Sequence, residues 1–73
     1  MDLKNAMKKK GLSTAQLARI LGLDYSTIWL YRKNKRYCSV EIAMAIETAL
    51  DGYVSWKSLV NPSRLKVLVN VRL

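Results

Sequence analysis

The chain has 73 residues with 13 Lys and Arg against 5 Asp and Glu, a net charge of +8, one Cys and no His. That length makes one domain, which buries only about 60% of the surface its unfolded chain exposes, and a composition 51% apolar and 25% charged excludes a disordered tail. Without His and with Cys38 alone, His/Cys zinc sites, Ser–His or Cys–His catalysis and an internal disulfide are excluded; neither an enzyme nor a metal or other cofactor is expected, and the single thiol fits a reducing cytoplasm.

Residues 2–10 read as a short helix. Asp2 is its N-cap, Leu3, Ala6 and Met7 share one face, and Gly11 ends it, with Leu12 closing the cap by an apolar contact. The four Lys of this segment have no apolar stretch behind them, so no secretory signal peptide is expected. Nor does any apolar run approach the roughly 20 residues that span a bilayer. Ser13-Thr14-Ala15-Gln16 is a capping box: the Ser13 hydroxyl can accept from the Gln16 N–H while the Gln16 side chain reaches back. It opens a second helix with Leu17, Ala18, Ile20 and Leu21 as its apolar stripe and Gly22 as its stop. Asp24 caps a third helix running from Tyr25 to about Lys33, ended by the basic run Lys33-Asn34-Lys35-Arg36.

Ser39 caps a fourth helix over residues 40–50, where Ile42, Ala43, Ile46, Ala49 and Leu50 recur at helical spacing and Asp51-Gly52 closes it. A short fifth helix is expected over residues 55–60, ahead of Asn61-Pro62. Cys38 is expected as a small buried hydrophobe and Trp56 as packing. Asp24, Glu41, Glu47 and Asp51 are caps and solvated charges, with no pair suited to acid–base work.

From Leu65 the period changes. Leu65, Val67, Val69, Val71 and Leu73 alternate with Lys66, Leu68, Asn70 and Arg72, which predicts a strand with one apolar face. A lone strand among helices has no partner, and an uncovered apolar edge is a liability. Antiparallel pairing with the same strand of a second copy, about a two-fold axis, answers both problems; the alternative is a strand folded back over the helices. The chain thus divides into a helical domain over residues 1–60 and a dimerisation strand over residues 61–73.

The charge is unevenly placed. Residues 1–37 hold nine Lys and Arg against Asp2 and Asp24, net +7, and residues 38–73 only +1. A polyanion partner follows, because neutralising phosphates releases counterions and supplies most non-specific nucleic-acid affinity. The alternative is a solvated basic surface that serves solubility. A membrane surface would require one strongly amphipathic basic helix, whereas these charges are dispersed.

The second and third helices are separated only by Leu21-Gly22-Leu23-Asp24, which forces a tight helix–turn–helix. Ala18 is small where the helices cross, Gly22 suits a turn needing positive φ, and Leu17, Leu21, Leu23, Ile28 and Tyr31 supply the core between them. The segment over residues 14–33, TAQLARILGLDYSTIWLYRK, resembles the DNA-binding helix–turn–helix of the Cro/C1-type phage repressor family. The likeness lies in the Leu-Ala pair, the Leu-Gly-Leu turn, the Ser-Thr-Ile of the third helix and the preceding Lys-Gly-Leu-Ser, and it covers roughly residues 3–50. The later IETALDGYVSWKSLV is similar to the matching stretch of small Cro-like prophage regulators.

The resemblance implies a mainly α, lambda-repressor-like fold of four to five short helices. It also implies a recognition helix laid in the major groove of double-stranded DNA, its N-terminal residues on base edges. With Ile28 inward, Ser26, Trp29, Leu30 and Lys33 face outward and Tyr25 and Thr27 lie at or near the N-terminal tip. Thr14 and Gln16, at the start of the second helix, would meet phosphates, as would Lys35, Arg36 and Tyr37 in the following loop. Arg32 and Lys33 are the cations best placed for bases or phosphates. The family commonly reads bases with Gln, Asn, Arg, Ser and Thr; Trp29 and Leu30 stand here instead, either against thymine methyls or folded into the core.

The expected activity is that of a cytoplasmic, homodimeric, sequence-specific DNA-binding transcriptional regulator, a Cro-like repressor of phage or prophage origin on a palindromic operator. No small-molecule ligand is indicated. The competing class is a protein-interaction module on the same scaffold, such as an autoregulating antitoxin, with Trp29 and Leu30 facing a partner protein.

Overall fold

Helix starts in this chain are set by side chains that accept from otherwise unpaired backbone N–H groups. In the computed structural model, which describes residues 1–63, the Asp2 carboxylate accepts from the Asn5 N–H at 2.8 Å and opens α1 (Leu3–Lys10). Ser13 opens α2 (Thr14–Leu21) with the full capping box: its hydroxyl accepts from Gln16 at 3.1 Å, and the Gln16 side chain accepts from the Ser13 N–H at 2.8 Å. Ser39 caps α4 (Val40–Ala49) and Ser55 caps α5 (Trp56–Leu59). Between them, α3 (Tyr25–Arg32) begins at Asp24, whose carboxylate makes no capping bond.

α1 ends on three lysines, Lys8, Lys9 and Lys10, placed where the negative end of the helix dipole favours them. α2 ends at Gly22 with φ +68°, a left-handed turn that lets Leu23 donate back to the Ala18 carbonyl at 2.9 Å. Asn34, at φ +59°, does the same after α3, with Lys35 donating to the Leu30 carbonyl at 2.9 Å. Among the described residues there are five helices and no strand, and no helix is long and apolar enough to cross a membrane. The expected strand at Leu65, Val67, Val69, Val71 and Leu73 lies outside the described residues.

α2 packs on α3 and α4, α1 on α3, and α5 on α4. Leu17, Ile28, Ile46, Leu50, Val54 and Val60 are fully buried, with Leu3, Ala6, Met7, Ala18, Tyr31 and Ala43 around them. Leu21, Leu23, Ile42, Ala49 and Trp56 pack partly buried against this core. Cys38 joins it as a packing residue; its thiol is pushed up to about 12 by burial, and its backbone N–H donates to Leu59 at 2.8 Å. The Lys10 ammonium pairs with the Asp51 carboxylate and ties the end of α1 to the turn after α4, so Asp51 is not simply a solvated charge.

The Asp24 cap expected for α3 is not formed, and further expectations are corrected. Ile20 is 58% exposed rather than part of the α2 stripe. The buried arc of α2 is Thr14, Leu17 and Ala18, and a residue two beyond Ala18 turns away from it. Thr14 is therefore buried at 4% exposure, one turn before Leu17 and Ala18, and does not lie on an exposed helix start. Glu47 is half-buried and accepts from the Trp56 N–H at 3.0 Å, so it caps α5 instead of solvating α4.

Candidate nucleic-acid interface

The outer side of the helix–turn–helix is built by α3. Ile28 and Tyr31 are buried and fix its inner face, so the residues between them turn outward. Ser26 and Lys33 are exposed, Trp29 is 37% exposed, and Tyr25 at the tip is 57% exposed. Thr27 and Leu30 are half-buried at the shoulders of this face. Trp29 lies outside the buried core, which answers for the free chain whether it folds inward. Its ring instead carries the Lys33 ammonium, 5.8 Å from the ring centroid, a cation–π pair one helical turn long.

Arg32 does not stand on this face. It is half-buried, and its Nη1 donates to the Thr14 hydroxyl at 2.9 Å, spanning from the end of α3 to the start of α2. Thr14 Oγ1 and Arg32 Nη1 are thus paired, while Arg32 Nε is buried without a partner among the described residues. Gln16 is exposed, with its side-chain oxygen engaged in the capping box. Lys35, Arg36 and Tyr37 are exposed in the loop after α3.

A groove of about 420 Å³ runs beside the start of α2, with Lys4 and Lys8 of α1, Ser13 and Tyr25 on its walls. No acidic residue lines it. Lys4 and Lys8 were not singled out from the sequence; their i, i+4 spacing on a capped helix, flanking the face of Leu3 and Met7, is the signal that carries them. At the α2 terminus Ala15 is exposed, and its first-turn N–H and the positive end of the helix dipole lie there, since the Ser13 side chain takes the Gln16 N–H. Asp24 is the one acid within residues 14–33 and sits at the tip of α3.

Electrostatically, Lys4 and Lys8 of α1 stand with the α2 start beside Tyr25, Lys33 and Lys35 are exposed at and just after the end of α3, and Arg36 and Tyr37 lie by Ser58 and Leu59 of α5. Exposed cations of this kind can neutralise phosphates while the outward residues of α3 enter a groove. No group of three or more His, Cys, Asp and Glu among the described residues could hold a metal ion.

No curated protein and no solved structure matches the chain. The family model for the Cro/C1-type HTH DNA-binding domain matches residues 2–51, from the N-cap of α1 to the turn after α4. The match takes in the whole of α2 and α3 together with the helices that bury their inner faces, and it covers more than half of the sequence. The chain belongs to the Cro/C1-type helix–turn–helix family of DNA-binding domains.

Proposed function

We propose that this protein is a sequence-specific transcriptional regulator of double-stranded DNA, a Cro-like repressor of phage or prophage origin acting in the cytoplasm. The observation that carries the reading is the outer face of α3, where Ser26, Trp29 and Lys33 are exposed behind the tip residue Tyr25. That face belongs to a helix–turn–helix of the matched family, in the half of the chain that holds net +7. Tyr25, Ser26, Thr27, Trp29, Leu30 and Lys33 take the base edges. Gln16, Lys35, Arg36 and the N–H groups at the start of α2 take phosphates. Arg32 and Thr14 act from behind, holding α3 against α2.

The working form is a homodimer. The alternating segment over residues 61–73 joins two copies, so residues 1–60 act as the DNA-binding domain and the joint sets two recognition helices one helical turn, about 34 Å, apart. Occupying a palindromic operator over a promoter blocks polymerase. The test is selection of binding sites from a random duplex pool at physiological salt. Enrichment of a palindrome with one-turn half-site spacing is expected. Salt-sensitive binding without enrichment would mean a basic protein that reads no sequence, and would overturn the proposal.

A further inference from the structure

We infer that each half-site contains a thymine and a guanine one or two base pairs apart, read together by Trp29 and Lys33 as one unit. The inference rests on the reading of α3 as the base-reading helix, and deepens it by naming the bases.

Trp29, 37% exposed, and Tyr25, 57% exposed, are the large aromatic rings that α3 turns outward, and an indole is the larger apolar surface of the two. Within this chain the Trp29 ring is met by the Lys33 ammonium at 5.8 Å, which leaves its apolar surface and a cation side by side on one outward ridge. Their chemistry selects bases separately. Thymine alone carries a methyl group in the major groove, the one apolar feature there that an indole ring can cover. Lysine has three donors and no acceptor, so it fits guanine, whose O6 and N7 are adjacent acceptors, and meets repulsion from the amino groups of adenine and cytosine.

Geometry links the two choices. Base pairs stack about 3.4 Å apart, so a ring and an ammonium separated by 5.8 Å reach across one to two steps. α3 holds no Asn or Gln, which leaves adenine without its usual bidentate partner on this helix. The ridge is thus built for methyl and acceptor features, not for donor–acceptor pairs. Because the ammonium is held over the ring, losing Trp29 also releases Lys33 from its position, and the two base preferences weaken together.

The experiment takes the duplex enriched from the random pool and edits single atoms in it. Thymine is replaced by uracil, which removes only the methyl, and guanine by 7-deazaguanine, which removes only N7. Wild-type protein is expected to lose about fourfold for the missing methyl, the worth of one buried carbon, and about tenfold for the missing N7. Trp29→Ala, checked by circular dichroism, is expected to show no uracil penalty and a reduced deazaguanine penalty; Trp29→Leu is expected to keep part of the first. An enriched site without thymine and guanine at that spacing overturns the inference, as does a wild-type protein indifferent to both edits or equal penalties in wild type and Trp29→Ala. All three leave a sequence-specific regulator standing. A pool with no enriched site removes the regulator reading itself, and the inference with it.

Discussion

The Arg32 guanidinium at the end of α3 donates to the buried hydroxyl of Thr14 at the start of α2, at 2.9 Å and across 18 residues. Gly22 and the residues beside it set the turn between the two helices, and this bond closes the far side of the angle. Arg32 Nε is itself buried and bonds to none of the described residues, so the Thr14 contact is the guanidinium's hold on the fold.

Thr14→Val keeps the shape and removes the acceptor. Folded stability is expected to fall by about 1 kcal/mol, read as a drop of roughly 4–8 °C in thermal midpoint for a domain of this size. Binding to the selected operator should weaken more than binding to a scrambled duplex, since it is the seating of α3 that loosens. An unchanged melting temperature would show that the bond holds nothing.

Asp24 offers a separate handle. Its carboxylate caps nothing and is the one negative charge within the helix–turn–helix. Asp24→Asn should cost no more than about 0.3–1 kcal/mol of stability, the worth of a carboxylate at the positive end of the α3 dipole. Affinity for any duplex should rise roughly threefold, the scale of one exposed charge. Fluorescence anisotropy on two unrelated duplexes measures it; a loss on one sequence alone would instead make Asp24 a base reader.

Much of this was legible in the sequence, and for a local reason. A cap lies within three residues of the N–H it serves, so Asp2, Ser13 and Ser39 mark helix starts without knowledge of the rest of the fold. The turn at Gly22 is likewise written in its neighbours. Thr14 and Ile20 were misplaced because both are amphipathic-stripe questions at the edge of an arc, and which edge is buried depends on where α3 and α4 sit. Glu47 capping Trp56 from the neighbouring helix is a contact across nine residues and a turn, beyond any local rule. Lys4 and Lys8 gain meaning only when α1 is placed beside the start of α2.

Cys38 predicts a pH dependence. Burial raises its thiol from 9.0 to about 12, so the folded state favours the protonated form. The stability this provides is complete below pH 9 and is lost as pH climbs from about 9 through about 12. Tyr31, whose phenol is also raised above its ordinary 10.0, first of all by burial, acts in the same direction at higher pH. Urea unfolding at about pH 8 and about pH 10.5 should show a decline that Cys38→Ala partly removes. At the lower pH a thiol reagent should label the cysteine only on unfolding; rapid labelling of the native protein would contradict the burial.

The apolar alternation over residues 65–73 predicts its own loss of function. Deleting residues 64–73 should convert a dimer to a monomer by sedimentation, with the helical spectrum kept, and should reduce operator affinity far more than non-specific affinity. A truncated protein that still dimerises would place the interface on the helices.

In the proposed division of labour, α3 reads sequence while the loop behind it reads charge. The most direct measurement is the affinity of wild type, Lys33→Ala and Lys35→Ala for the selected operator and for a scrambled duplex across a salt series. Lys33→Ala should lose about tenfold on the operator and little on the scrambled duplex, collapsing the ratio between them. Lys35→Ala should weaken both alike and flatten the logarithmic salt slope by about one unit. Equal losses from both variants on both duplexes would contradict the division of labour.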